Sequence, residues 1–414
     1  MRIVGGARKS RYAVTDELEG RKHKPDYVIL VLMCALIACG MVVMYSISPA
    51  VSSVTGQSSS YFFTRHLISF LIGIVGMLII YAVPLPKLKK TTYGIALISV
   101  ILSIIILAIS GVAYRWIKIA GFSFQPAEMM KFGLIIWLGF FLASQKKKGE
   151  IKLFSKTLKP VLYVLGALAV IIVLLQRDLG SMVVLASISG LMLFASSVPL
   201  KPLVLVFMGL VVLGGVAIVS TPYRRDRFET FMNPEKDCQN EGYHACQALI
   251  TVGSGGVFGL GVGNSVQAYG YLPETPTDSI FAIFAEKFGF VGSVTFLSVV
   301  GVMVFRMLKI SSRTLSWEAR LITIGVVSWV GIQTSINIGA MLGLLPLKGI
   351  TLPFVSYGGS SLIFVMLAVG VVLRISCYTS VRKHDLETLE GTKSESSTIR
   401  RGDRRSYNTP LGGR

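Results

Sequence analysis

Asp278 is the residue of this chain best suited by type and position to do chemistry. It follows Pro273 and Pro276, which end an extended loop and allow a helix to start at about Thr277. An aspartate in a first helical turn often serves only as a partner of the helix dipole. The functional alternative is a carboxylate that the helix N-terminus keeps ionised, as a general base requires.

Glu286 lies eight residues after Asp278. On a straight helix this spacing amounts to about 12 Å along the axis and about 80° around it. The two acids are therefore not a ready-made carboxylate pair of the kind that glycosidases use. We expect Glu286 to face the interior of a helix bundle, beside Lys287.

Glu128 and Lys131 are three residues apart, so they share one face of a helix. Their segment is apolar, and charges at membrane depth are costly unless they are paired or used. The simplest interpretation is an internal salt bridge that locks two helices together. Direct participation in chemistry is the alternative.

Two cationic sites could face an anion. Arg115 and Lys118 flank Trp116, either as an interfacial anchor or as a group that grips phosphate. Lys348 lies in segment 343–361, where repeated glycine and proline break any helix. Such backbone persists near a membrane only when it is buried in protein or lines a cavity. Lys348 is thus a snorkelling lysine or a pyrophosphate contact.

Cys238 and Cys246 fall in a segment predicted to be exported, where oxidation is possible. We favour a local disulfide between them. A metal site with His244 would offer three ligands without a fourth, and two free thiols are the remaining alternative. The glycines of segment 253–263 lack the spacing of a nucleotide-binding loop and predict a flexible or close-packed loop.

The composition indicates which class of protein carries these residues. The chain of 414 residues is 52% hydrophobic and only 15% charged, yet its formal net charge is +20. Soluble domains carry about a quarter charged residues. A membrane protein reconciles these values, because its basic residues can be confined to cytoplasmic loops. We therefore expect no nucleic-acid partner.

The hydropathy pattern predicts an all-α integral membrane protein with about ten spans. Most of the basic residues then lie on one side, which places both termini in the cytoplasm. Residues 1–26 form a basic N-terminal segment, 27–378 the membrane domain, and 379–414 a disordered basic tail. One long extracytoplasmic loop, 221–277, lies between spans 7 and 8. The predicted spans are 27–47, 64–83, 92–111, 125–143, 160–176, 179–198, 202–220, 278–306, 318–343 and 360–378.

Seven motifs together resemble the SEDS family, the multi-pass proteins of shape, elongation, division and sporulation. The resemblance covers roughly residues 27–378, and GNSVQ followed by YLPE is closer to the division branch. The motifs are RWI (115–117), QPAEMMK (125–131), QRDLG (176–180), FMNPEKD (231–237), GVGNSVQ (261–267), YLPETPTDSIFAIFAE (271–286) and LPLKGITLPFVSYGGSS (345–361). The chain departs from the usual family pattern at Arg177, Pro276, Ser279 and Lys287.

The resemblance implies a peptidoglycan glycosyltransferase that polymerises lipid II. The essential family aspartate corresponds to Asp278, which would take the proton of the acceptor sugar's 4-hydroxyl for an inverting transfer. The departing undecaprenyl pyrophosphate needs cationic stabilisation, for which Arg115, Lys348 and Lys131 are the candidates. Glu128 and Glu286 match further polar positions of the family in supporting roles.

The resemblance also implies partners and a location. These are a class B penicillin-binding transpeptidase, other division proteins, and the bacterial plasma membrane at the division septum. No soluble cofactor fingerprint occurs in the sequence, and a divalent cation is left open. The alternative functions are a lipid II flippase and a non-catalytic division scaffold.

Overall fold

The computed structural model describes residues 24–110, 117–119, 122–205, 208–209, 231–232, 238–240, 242–346 and 349–379. Arg115 and Lys348 lie outside these residues, as do most of the two predicted terminal segments. For Lys118 only the backbone is described.

The described residues form a helical bundle with a single short hairpin. The hairpin pairs β1 (Ile117–Ile119) with β2 (Phe122–Phe124) in antiparallel register. Helix α5 is flanked by π-helical segments, Phe154–Leu158 and Val170–Leu175. The helices are α1 (Tyr27–Thr55), α2 (Tyr61–Ala82), α3 (Leu85–Ser110), α4 (Pro126–Lys147), α5 (Lys159–Ala169), α6 (Leu179–Ala195), α7 (Tyr243–Ser254), α8 (Ile280–Arg313), α9 (Trp317–Met341) and α10 (Ser360–Ser376).

The length and apolar composition of these helices confirm an all-α membrane fold. Among the described residues, six helical segments are long and apolar enough to cross a membrane: α1, α2, α4, Phe154–Val173, α8 and α9. Helices α6 and α10 are shorter apolar segments. The seventh predicted span, 202–220, lies mostly outside the described residues, so ten spans and their sidedness stay predictions.

Helices α4 and α9 form the centre of the bundle and are its most buried spans. Two glycines let them approach closely, as small residues do between membrane helices. A Cβ at Gly139 would overlap the side chain of Ile322, and one at Gly325 would meet Ile135 at 2.6 Å. The centre of the bundle is therefore set by glycine on one helix facing isoleucine on the other.

Helix α8 begins three residues later than the sequence predicts. It starts at Ile280 with Ser279 as its N-cap, not at Thr277. The preceding residues form turns in which the N–H groups of Thr277 and Ser279 donate to the carbonyl of Glu274. The hydroxyl of Ser279 also donates to the carbonyl of Pro273 at 2.8 Å. These bonds hold the segment out of helical conformation, so Asp278 ends a loop.

Candidate active site

Asp278 lies beside a small cavity at one end of the bundle, where four elements meet. The cavity lies between α7, the start of α8, the end of α9 and the segment before α10, and its volume is about 20 Å³. Asp278 is partly exposed. The lining residues are His244, Asp278, Ile336, Asn337, Ala340, Met341, Gly349 and Ile350. This space holds about one water molecule, so a sugar must approach from the open side.

Asn337 fixes the backbone at Asp278. Its side-chain Nδ2 donates to the carbonyl of Asp278 at 2.8 Å and to the carbonyl of Ile350 at 2.7 Å. One amide on α9 thereby joins the start of α8 to the segment before α10. Its Oδ1 is buried and accepts no hydrogen bond within the part of the chain that the structure describes.

His244 connects α7 to the same loop end. Its Nε2 lies 2.8 Å from Ser279 Oγ. Because the single hydroxyl proton of Ser279 goes to Pro273, His244 Nε2 is the donor in this contact. Ser279, a departure from the family pattern, thus has a structural partner.

Within the first turn of α7, Cys246 is bonded to Cys238 in a disulfide, so the two sulfurs are not thiolate ligands for a metal.

Tyr357 joins the segment before α10 to the other side of the loop. Its backbone N–H donates to the carbonyl of Pro276 at 2.7 Å. Burial, with a smaller contribution from Tyr61, raises the pKa of Tyr357 to about 12. Its phenol therefore stays protonated at physiological pH.

Glu286 anchors a loop and has surroundings separate from those of Asp278. Its carboxylate accepts hydrogen bonds from the hydroxyl of Ser265 and from the backbone N–H groups of Val266 and Gln267, at 2.5, 3.1 and 3.4 Å. Lys287 donates to the carbonyl of Val262 at 2.8 Å. Both side chains thus hold the GVGNSVQ motif against α8.

Glu128 and Lys131 form a buried ion pair with a nitrogen-to-oxygen distance of 2.6 Å. Lys131 also donates to Gln333 Oε1 on α9 at 2.9 Å and lies over the ring of Trp329. Gln333 in turn donates to the carbonyl of Thr351 at 2.9 Å. Both members of the ion pair lie on α4. The amide of Gln333 connects them to α9 and to the segment before α10.

A second buried polar cluster surrounds Asp178 in the QRDLG motif. Asp178 caps α6 and accepts from the backbone N–H and the hydroxyl of Ser181, at 3.0 and 2.7 Å. It also accepts from Gln125 Nε2 at 2.9 Å, and the Gln125 backbone N–H donates to Ser360 Oγ. Asp178 and Gln125 together therefore connect α6, the start of α4 and the start of α10.

The structure brings only some of the predicted site residues together. Asp278 lines the cavity, whereas Glu128, Lys131 and Glu286 are buried elsewhere. Sequence reasoning missed Asn337, and it considered His244 only as a metal ligand. An amide within the predicted span 318–343 was the available signal for Asn337, since polar groups in membrane helices are costly. Among the described residues no group of three or more His, Cys, Asp or Glu side chains could hold a metal ion.

The fold and the cavity define a multi-pass α-helical membrane protein with a carboxylate site at one end of its bundle. The family model of FtsW, RodA and SpoVE, described as cell cycle protein, matches residues 26–381. This chain belongs to that family.

Relatives match nearly the whole chain. It is 34% identical to stage V sporulation protein E of Bacillus subtilis over 367 residues, which covers 87% of this chain and 99% of the relative. It is 35% identical to the probable peptidoglycan glycosyltransferase FtsW of Thiomicrospira cyclica, covering 89% of this chain and 96% of that protein. The corresponding protein of Coxiella burnetii is 37% identical, with 86% and 96% covered.

Solved structures share the fold. A chain from a peptidoglycan synthase complex that coordinates polymerisation and crosslinking matches with a TM-score of 0.68 and 23% identity, over 85% of this chain and 97% of that chain. The rod shape determining protein RodA of Thermus thermophilus matches with a TM-score of 0.60 and 23% identity, over 86% and 98%. At this identity the likeness concerns the fold alone.

Proposed function

We propose that this chain is a peptidoglycan glycosyltransferase that polymerises lipid II, with Asp278 as its general base. The activity is supported by relatives of 35% and 37% identity that are named probable peptidoglycan glycosyltransferases. The role of Asp278 is supported by one observation: a partly exposed carboxylate lies beside a cavity while an amide holds its backbone.

In the proposed reaction, Asp278 takes the proton of the acceptor sugar's 4-hydroxyl. The hydroxyl oxygen then attacks the anomeric carbon of the donor from the face opposite the pyrophosphate. A new carbon–oxygen bond forms as the bond to pyrophosphate breaks, and the pyrophosphate leaves with the electron pair. This displacement inverts the anomeric centre. Carboxylates act as general bases when a substrate proton lies within hydrogen-bond reach.

The contacts that the other two candidate acids make favour Asp278 as the general base. The carboxylate of Glu286 accepts hydrogen bonds from the GVGNSVQ loop, and Glu128 is paired with Lys131 in the bundle centre. Lys131 is buried in the same pair, which favours a supporting role for it. Arg115 and Lys348 remain the proposed contacts of the pyrophosphate because a developing anion needs preorganised positive charge.

The proposal extends to partners and place. A class B penicillin-binding transpeptidase would crosslink the strands that this chain makes, at the division septum of the plasma membrane. Support comes from the structural match to a chain of a peptidoglycan synthase complex. A divalent cation near the pyrophosphate is left open, and it would add further positive charge there.

The test is polymerisation of purified lipid II by the full chain with its transpeptidase partner. We expect Asp278→Asn to lower the rate by at least about a hundredfold, since removal of a general base costs that much. Glu274→Gln is the matched control, because Glu274 is an exposed acid in the same loop. It should polymerise at nearly the wild-type rate.

Three results would decide against this proposal. Polymerisation by Asp278→Asn at the rate of Glu274→Gln would remove Asp278 as the base. Wild-type protein that makes no polymer but moves labelled lipid II across vesicles would favour the flippase. A non-catalytic scaffold predicts instead that Asp278→Asn restores division to a deletion strain.

A further inference from the structure

A second cavity lies at the end of the bundle opposite Asp278, and it is much larger. Its volume is about 330 Å³, within the range of about 300–1,000 Å³ typical of ligand sites. It lies between the residues before α1, the last turns of α8 and the end of α10. We name it the inner basic pocket, and its charged side chains are Lys24, Asp26, Arg306, Lys309 and Arg313.

The inner basic pocket carries an excess of positive charge. Three of its cations follow one face of α8, because Arg306, Lys309 and Arg313 are spaced by three and four residues. With Lys24, four basic side chains line the pocket beside a single acid, Asp26. An anion is therefore the ligand that its charge favours.

Asp26 is already engaged by the protein. Its Oδ1 accepts from the backbone N–H of Val28 as the N-cap of α1, and its backbone N–H donates to Ser376 Oγ at 3.0 Å. Its Oδ2 lies 3.3 Å from Nε of Arg306, an ion pair without hydrogen-bond geometry. The Arg306 Nε–H thus lacks a well-aligned acceptor among the described residues, although a carboxylate stands beside it.

On two walls of the inner basic pocket, an exposed apolar residue lies one helical turn from the pocket lining. On α8, Val302 lies one turn before Arg306 on the same face and is exposed. On α1, Val31 lies one turn after Tyr27 and is also exposed. A ligand that suits both features has an anionic head for the pocket and apolar chains for the two exposed valines. Free phosphate or a nucleotide would use only the cations.

We propose that the inner basic pocket binds the headgroup of an anionic phospholipid, with the phosphate between Arg306, Lys309 and Arg313 and the acyl chains along Val302 and Val31. The predicted sidedness places this end of the bundle at the cytoplasmic leaflet, which carries anionic lipids. Arginine suits the phosphate because its guanidinium can donate two parallel hydrogen bonds. The site is independent of the catalytic assignment of Asp278.

Native mass spectrometry of the full chain in detergent, with phosphatidylglycerol or phosphatidylcholine added, tests the proposal. The pocket variant is Arg306→Gln/Lys309→Gln/Arg313→Gln. The control variant, Lys89→Gln/Lys90→Gln/Lys152→Gln, makes the same change of charge at exposed residues outside the pocket. Each basic residue near an anionic surface contributes measurably to binding, so we expect the pocket variant to bind phosphatidylglycerol at least about tenfold more weakly. The control variant should bind it as the wild type does.

Three results would overturn the proposal. They are equal loss of phosphatidylglycerol in the two triple variants, equal binding of phosphatidylcholine by the wild type, and displacement of phosphatidylglycerol by excess inorganic phosphate. The last would indicate a site for free anions. If the pocket variant does not fold, the single variant Arg313→Glu replaces it, because Arg313 is exposed. That variant should still weaken phosphatidylglycerol binding, and unchanged binding would count against the site.

Discussion

Asn337 holds the backbone at Asp278 through an amide whose two N–H groups both donate to backbone carbonyls. Neither acceptor belongs to its own helix, so the side chain positions Asp278 against Ile350 across the cavity. Catalysis depends on such positioning, because misplacement of a reacting group by about 1 Å can cost about a hundredfold in rate. Asn337 is accordingly a positioning residue in the proposed reaction.

We expect Asn337→Ala to lower the kcat of lipid II polymerisation by at least about tenfold, because the carbonyl of Asp278 loses its tether. KM should change less, since both N–H groups of the Asn337 amide are engaged by backbone carbonyls. Steady-state polymerisation assays separate the two constants. Asn264→Ala is the control, because it removes one amide-to-carbonyl bond, to Leu260, in an exposed loop. Wild-type kcat in Asn337→Ala would show that the tether is dispensable.

At the scale of elements, helix α8 is kinked where a glycine-rich loop docks onto it. Gly289 has a positive φ of 66° inside the helix. The kink leaves the carbonyls of Glu286 and Lys287 to accept from the N–H groups of Leu260 and Gly261, at 2.9 and 3.0 Å. The loop thereby completes hydrogen bonds that the helix itself cannot make.

Gly259 is a position at which this docking tolerates little change. Its φ is 83°, and a Cβ there would overlap the carbonyl of Lys287. We expect Gly259→Ala to reduce the free energy of unfolding by about 1–3 kcal/mol through backbone strain, and by more through the overlap. Thermal unfolding in detergent measures the loss. Gly263→Ala is the matched control, because no atom lies within 4 Å of its added Cβ. Equal unfolding temperatures for the two variants would show that close contact between Gly259 and Lys287 is not needed for stability.

At the scale of the whole molecule, one buried polar network connects the most buried parts of the bundle. It runs from Glu128 and Lys131 on α4 through Gln333 on α9 to Thr351, and from there to Ser361 at the start of α10. Such a network stabilises a protein only while its members stay paired, because an unpaired buried charge is strongly unfavourable.

We expect Glu128→Gln and Lys131→Met each to destabilise the protein by about 3–5 kcal/mol, because each leaves one buried charge without its partner. The double variant should lose less than the sum of the two. Unfolding transitions of all three variants form a double-mutant cycle. The pair of the exposed Lys147 and the partly buried Glu318 is the control, for which Lys147→Met should cost under about 1 kcal/mol. If the loss in the double variant equals the sum of the two single losses, Glu128 and Lys131 are not energetically coupled.

The sequence by itself determined the features that depend on local spacing and composition. Apolar segments long enough to span a bilayer predict the helices, because burial in lipid acts on each segment separately. Glu128 and Lys131 could be paired from their spacing, since residues three apart meet on any helix. Asp278 could be singled out because a scarce acid stands where a proline-rich loop turns into a span.

Only the tertiary structure decided which distant residues meet. Asn337 reaches Asp278 across 59 positions, and His244 reaches Ser279 across 35. Lys24 and Arg306 share the inner basic pocket although most of the membrane domain separates them in sequence. The start of α8 also depended on a bond from Ser279 to Pro273 that opposes the local helical tendency. Such contacts arise from the packing of whole helices, and one sequence carries no local signal for which helices pack together.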